Sequence, residues 1–112
     1  VKIDVKQVIR DLQGEPLKNP KGEDTTLRWA FTEALLASSQ GDENLSGEEK
    51  YNRYKLAKKV NASDEVELSV EEAAQIKKLL PKGFTPVLVG PVFDMIEAAA
   101  EAKPKLEAVP PQ

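Results

Sequence analysis

Apolar and polar positions alternate at the start of the chain: Val1, Ile3 and Val5 are apolar, and Lys2, Asp4 and Lys6 are polar. A period of two predicts a strand with one buried face. Val8 and Ile9 follow, and then Asp11-Leu12-Gln13-Gly14, whose aspartate-first, glycine-last order suits a type I turn. Asn19-Pro20-Lys21-Gly22 is a second turn signal. The segment is expected to form a β-hairpin or short extended arms. The period then becomes helical. Leu27, Ala30, Phe31, Ala34 and Leu35 share one face of a helix predicted from Thr25 or Thr26 to Ser39. Asp24 or Thr25 is its expected N-cap, and Gln40-Gly41 its left-handed stop.

Ser46-Gly47-Glu48-Glu49 is a capping box that opens a second helix. Tyr51, Tyr54, Ala57 and Val60 step by three along it, with Leu56 beside Val60, and are taken as its core stripe; Asn52, Lys55, Lys58 and Lys59 occupy the other arc. After Asn61-Ala62-Ser63-Asp64, the alternation of Glu65-Val66-Glu67-Leu68 marks one further short strand. Ser69-Val70-Glu71-Glu72 is a second capping box, followed by the stripe Ala73, Ile76, Leu79, Leu80 and the closing Pro81-Lys82-Gly83. Beyond the two boxes, no longer internal repeat stands out. A fourth helix starts near Thr85-Pro86, with Val92, Phe93, Ile96, Ala99 and Ala100 on its buried side. Gly90-Pro91 either kinks it or separates a single turn from a helix that begins at Pro91. Lys103-Pro104 is its expected stop, and residues 104–112 read as a disordered, proline-rich tail. The pattern defines one globular domain over residues 1–103. Its expected class is α+β and mostly helical, with about four helices, a small N-terminal hairpin and one further short strand.

Composition narrows what this fold can do. At 112 residues, 40% hydrophobic and 31% charged, the chain has a globular balance. It has no cysteine, so disulfides and thiolate metal sites are excluded, and no histidine, so no imidazole base or ligand exists. No apolar run approaches the ~20 residues of a membrane span, and the first residues lack a signal-peptide pattern. No membrane association is expected, and a cytoplasmic location is. Glu48/Glu49 and Glu71/Glu72 are explained by capping and the helix dipole rather than by acid–base chemistry. Ser46 and Lys50 lack any nucleophile-elbow context, the glycines never cluster into a phosphate loop, and Asp42-Glu43-Asn44 is too short for a calcium loop. A non-enzymatic protein without a cofactor is therefore expected.

Two features point to binding. Between Lys50 and Lys59 there are five basic residues and no acid, flanked on both sides by acidic stretches. Arg53, Lys55, Lys58 and Lys59 are thus candidate contacts for an acidic protein or, as the alternative, for nucleic acid; the net charge of −3 disfavours broad phosphate binding. On the first helix, Trp29 and Leu36 lie almost opposite the Leu27/Phe31/Ala34 face. That helix is either sandwiched between layers or presents an apolar patch, and tryptophan is enriched at interface hot spots.

The order of these signals carries a resemblance. The stretches Asp11-Leu12-Gln13-Gly14-Glu15-Pro16, Leu45-Ser46-Gly47-Glu48-Glu49-Lys50 with Arg53-Tyr54, and Leu56-Ala57-Lys58-Lys59 carry most of it. Glu67-Leu68-Ser69, Ile76-Lys77-Lys78-Leu79 and Pro86-Val87-Leu88-Val89-Gly90 complete it. The chain resembles a group of small, functionally unassigned proteins encoded by tailed phages and prophages, from which Pro91 departs by interrupting the fourth helix. The resemblance implies a phage origin, hence the host cytoplasm, and by analogy a role as an assembly accessory or a modulator of a host protein.

Overall fold

The computed structural model describes residues 1–37 and 45–108, with side chains through residue 100. Six elements follow in order: strand β1 (Lys2–Asp4), helix α1 (Leu27–Leu36), helix α2 (Gly47–Ala62), strand β2 (Glu65–Glu67), helix α3 (Val70–Gly83) and helix α4 (Pro86–Ala108). The domain is α+β with helices dominant.

The two segments whose alternation predicts strands pair with each other. β1 and β2 run antiparallel in the register Lys2↔Glu67, Ile3↔Val66 and Asp4↔Glu65. Ile3 and Val66 point inward and are buried, while the charged positions face solvent. The sheet therefore ties the start of the chain to the link between α2 and α3.

Residues 10–25 form two successive loops of the same construction. Asp11 Oδ1 accepts from the amides of Gln13 and Glu15, both at 2.9 Å. Eight residues on, Asn19 Oδ1 accepts from Lys21 and Glu23 at 2.9 and 3.0 Å. Gly14 and Gly22 both sit at φ +84°, the left-handed region that glycine enters without a Cβ penalty. The amides of Leu17, Thr25 and Ile9 donate in a closed ring to the carbonyls of Ile9, Leu17 and Thr25. Arg10-Asp11-x-x-Gly14-Glu15 and Lys18-Asn19-x-x-Gly22-Glu23 are thus a tandem repeat, a correction to the expectation that none exists.

α1 is the central helix, packed against both α2 and α3. Its predicted face is the buried one: Leu27, Ala30, Phe31, Ala34 and Leu35. The N-cap is Thr26, not Asp24 or Thr25; its side chain accepts from the Trp29 amide. The helix ends at Leu36, and the predicted stop at Gln40-Gly41 lies outside the described residues. Both capping boxes are formed, with Ser46 and Glu49 reciprocating at the start of α2, and Ser69 and Glu72 at the start of α3. At the other end of α2, Arg28 closes the exposed carbonyls. Its Nε donates to the Val60 carbonyl at 3.3 Å, and its Nη2 to Ser63 O at 2.8 Å and Asp64 Oδ1 at 2.9 Å. A cation at a helix C-terminus also complements the helix dipole.

α4 resolves the alternative at Gly90-Pro91, since one helix runs through it from Pro86. It also continues past the predicted stop at Lys103-Pro104 as far as Ala108. Proline keeps a helical φ and removes one backbone bond, so each proline costs the helix a donor without breaking it here. Leu88, Val92 and Ile96 bury its inner side, with Phe93 and Ala99 partly buried against the core. Each large aliphatic side chain buried in this way stabilises the fold by roughly 1.5–3 kcal/mol.

Candidate functional site

On α2 the buried side chains are Leu56, Ala57 and Val60, an arc that faces α1 and α3. Tyr51 and Tyr54 do not belong to it. They are 58% and 50% exposed, which overturns their assignment to the core stripe. The reason is angular. A step of three residues falls 60° short of a full turn, so Tyr51 and Val60, nine apart, end on opposite sides of the helix. The true outer arc is Tyr51, Tyr54, Lys55 and Lys58.

These four side chains make one ordered surface. The tyrosine rings stack with centroids 6.5 Å apart and planes inclined by 23°. The Lys55 ammonium lies 5.0 Å from the Tyr51 ring centroid, and that of Lys58 lies 5.7 Å from the Tyr54 ring. Such cation–π contacts are worth about 0.5–1 kcal/mol at exposed sites, enough to bias where the lysines rest without removing them from solvent. The face thus offers aromatic surface, two phenolic hydroxyls and two ammonium groups.

The six side chains that the sequence singles out do not converge. Lys55 and Lys58 are on this face. Lys59 turns aside to Glu72, with Nζ 2.8 Å from Oε1, and fastens α2 to α3. Arg53 lines a separate cleft between α2 and α3, with Asn52, Gln75, Lys78 and Lys82. Trp29 is partly buried against Phe84, their ring centroids 5.7 Å apart, whereas Leu36 remains 54% exposed. One of the two apolar groups opposite the α1 core face is therefore covered and the other is open.

The perturbed carboxylates belong to the scaffold. The Arg28 hydrogen bond holds the Asp64 carboxyl below its usual range; desolvation opposes this, and Lys6 adds to it. For Glu72, desolvation pushes upward, but hydrogen bonds from Lys59 and from the Ser69 backbone outweigh it and leave the carboxyl lowered. Among the described residues, no group of three or more acidic, histidine or cysteine side chains could hold a metal ion. No described helix is long and apolar enough to cross a membrane.

The fold and this face define a small, helix-dominated α+β domain with an exposed tyrosine–lysine surface. No protein-family model, curated protein or solved structure matches the chain.

Proposed function

We propose that this chain is a non-enzymatic protein-binding module that docks an acidic segment of its partner on the outer face of α2. The observation that carries the reading is the pair of stacked, half-exposed tyrosines with a lysine over each ring. Tyrosine supplies large contact area at low cost in side-chain entropy, and it is enriched among residues that dominate binding energy. The lysines steer an acidic partner towards it. The resemblance to phage-encoded proteins supports a phage factor acting in the host cytoplasm, as an assembly accessory or a modulator of a host protein.

The same geometry favours one second reading. Accessible aromatic rings interleaved with cations suit the stacking of bases along a single strand. Calorimetric titration separates the two. The ligands are an acidic peptide with leucine and phenylalanine anchors, and random single-stranded DNA and RNA across a salt series. The protein-binding reading expects affinity for the peptide, lost in the Tyr51→Ala/Tyr54→Ala variant, and negligible nucleic-acid binding at physiological salt. Tyrosine-dependent binding to nucleic acid, with a steep salt slope, would replace it with the second reading.

A further inference from the structure

Helices α2 and α3 both pack on α1. Lys59 and Glu72 tie them to each other near β2, and away from that pair they leave a cleft of about 280 Å³. Arg53 of α2 and Lys78 and Lys82 of α3 line it, together with the carboxamides of Asn52 and Gln75. The cleft's carboxylate, Glu49, is already engaged in the capping box, where it accepts from the Ser46 amide at 2.9 Å. Three cations thus surround one concave site in a chain whose net charge is −3.

Neighbouring lysines have carboxylate partners: Lys59 has Glu72, and Lys77 has Glu97. Among the described residues, the side chain of neither Lys78 nor Lys82 makes a hydrogen bond or an ion pair. These two stand four apart on one helix, the spacing at which like charges repel and weaken it. The helix dipole accounts for Lys82, in the last turn of α3, but not for Lys78 one turn earlier. Arg53, half-buried, adds a third positive charge from the facing helix. An anion in the cleft would offset this repulsion. We infer that the α2–α3 cleft binds a phosphate monoester through its terminal phosphoryl group. Charge and donor number select this class. A carboxylate brings a single charge, whereas a phosphoryl group brings about two charges and three acceptor oxygens near neutral pH. The guanidinium fork suits two of those oxygens side by side, and the ammonium and carboxamide groups supply donors for the rest. The cleft shares no side chain with the tyrosine–lysine face of α2, so the two proposals stand or fall separately.

Chemical-shift titration of the isotope-labelled full chain at constant ionic strength tests the site. The probe is phosphoserine capped as N-acetyl methylamide, with capped serine and dimethyl phosphate as controls. Capped phosphoserine should give saturable shifts at Arg53, Gln75, Lys78 and Lys82. Its affinity should rise as pH passes the second phosphate ionisation at about pH 6. Lys78→Gln and Lys82→Gln should each weaken binding about 5-fold or more, as loss of a charge-assisted contact does. Without ligand, neither variant should unfold at a lower temperature than the unaltered chain, because each removes one of two repelling charges. Lys21→Gln, at an exposed loop lysine far from the cleft in sequence, should bind as the unaltered chain does. Shifts that never saturate, or an equal loss in Lys21→Gln, would reduce the effect to general charge attraction and overturn the proposal. Equal affinity for dimethyl phosphate would overturn it in favour of a diester such as a nucleic-acid backbone.

Discussion

Substituting alanine at Gly14, Gly22 and Gly90 in turn should separate the strain of a left-handed turn from the preferences of a helix interior. At all three positions a Cβ would meet no atom within 4 Å beyond the adjacent residues and the helix's own backbone, so the local backbone decides. Gly14 and Gly22 hold φ at +84°. An L-residue in that region is disfavoured by roughly 1–2 kcal/mol, and alanine's smaller unfolded-state entropy offsets only part of this. Gly90 is inside α4, where alanine is preferred to glycine by about 1 kcal/mol, but it precedes Pro91, whose ring crowds a Cβ on the preceding residue in helical backbone and offsets that gain. Urea denaturation should therefore show Gly14→Ala and Gly22→Ala each destabilised by about 1 kcal/mol. Gly90→Ala should be close to neutral, because helix preference and crowding by Pro91 oppose each other. Because the two loops are built alike, the first two losses should agree within a few tenths of a kcal/mol. A neutral Gly14→Ala would refute the left-handed turn, and widely different losses at the two sites would refute the equivalence of the loops.

Three further outcomes follow from the helix ends and ion pairs. Ser46→Ala and Ser69→Ala should each cost about 1 kcal/mol in chemical denaturation, the usual loss on removing an N-cap. Arg28→Lys should lower stability almost as far as Arg28→Ala, because a point ammonium cannot reach the Val60 and Ser63 carbonyls and the Asp64 carboxylate together as the guanidinium fork does; full rescue by lysine would show that charge alone matters there. Asp64 and Glu72 have lowered folded-state pKa values. Their contribution is thus complete above the unfolded values and is lost as pH falls through the folded ones, so stability should drop below about pH 4. Asp64→Asn and Glu72→Gln should flatten that acid limb; an unchanged slope would show that other carboxylates control it.

The parts of the fold legible in the sequence are those written within a few residues. Each capping box is a four-residue contract between a serine and a glutamate, and both formed where they were predicted. The α1 stripe was legible because its spacing mixes threes and fours and so holds one face. What alternation could not reveal was the partner of β1. It fixes which face of Lys2–Asp4 is buried, but not that the matching strand lies beyond α2, at Val66. The tandem loops escaped for another reason. Only the Gly-Glu pair recurs in identity: Asp11 matches Asn19 as a side-chain acceptor and Arg10 matches Lys18 in charge, whereas Leu12 is matched by Pro20 and Leu17 by Thr25.

The candidate site shows why a run of basic residues is weak information about binding until each cation's neighbours are known. Arg53, Lys55, Lys58 and Lys59 are close in sequence, yet the helix sends them to three places. Lys59 is occupied by Glu72 in holding α3, and Glu72 is already fixed by its cap, so this lysine belongs to the scaffold. Arg53 is turned towards the α2–α3 cleft. Only Lys55 and Lys58 share a surface, and what distinguishes that surface is the tyrosine under each ammonium rather than the charge itself. Those tyrosines were legible in principle. Placing each residue at 100° per step, instead of counting a constant step of three, puts Tyr51 and Tyr54 opposite Leu56 and Val60. Large aromatic groups then stand on a helix face that no core can cover. That exposed aromatic pair, rather than the run of charge, is what the proposed docking of a partner segment rests on.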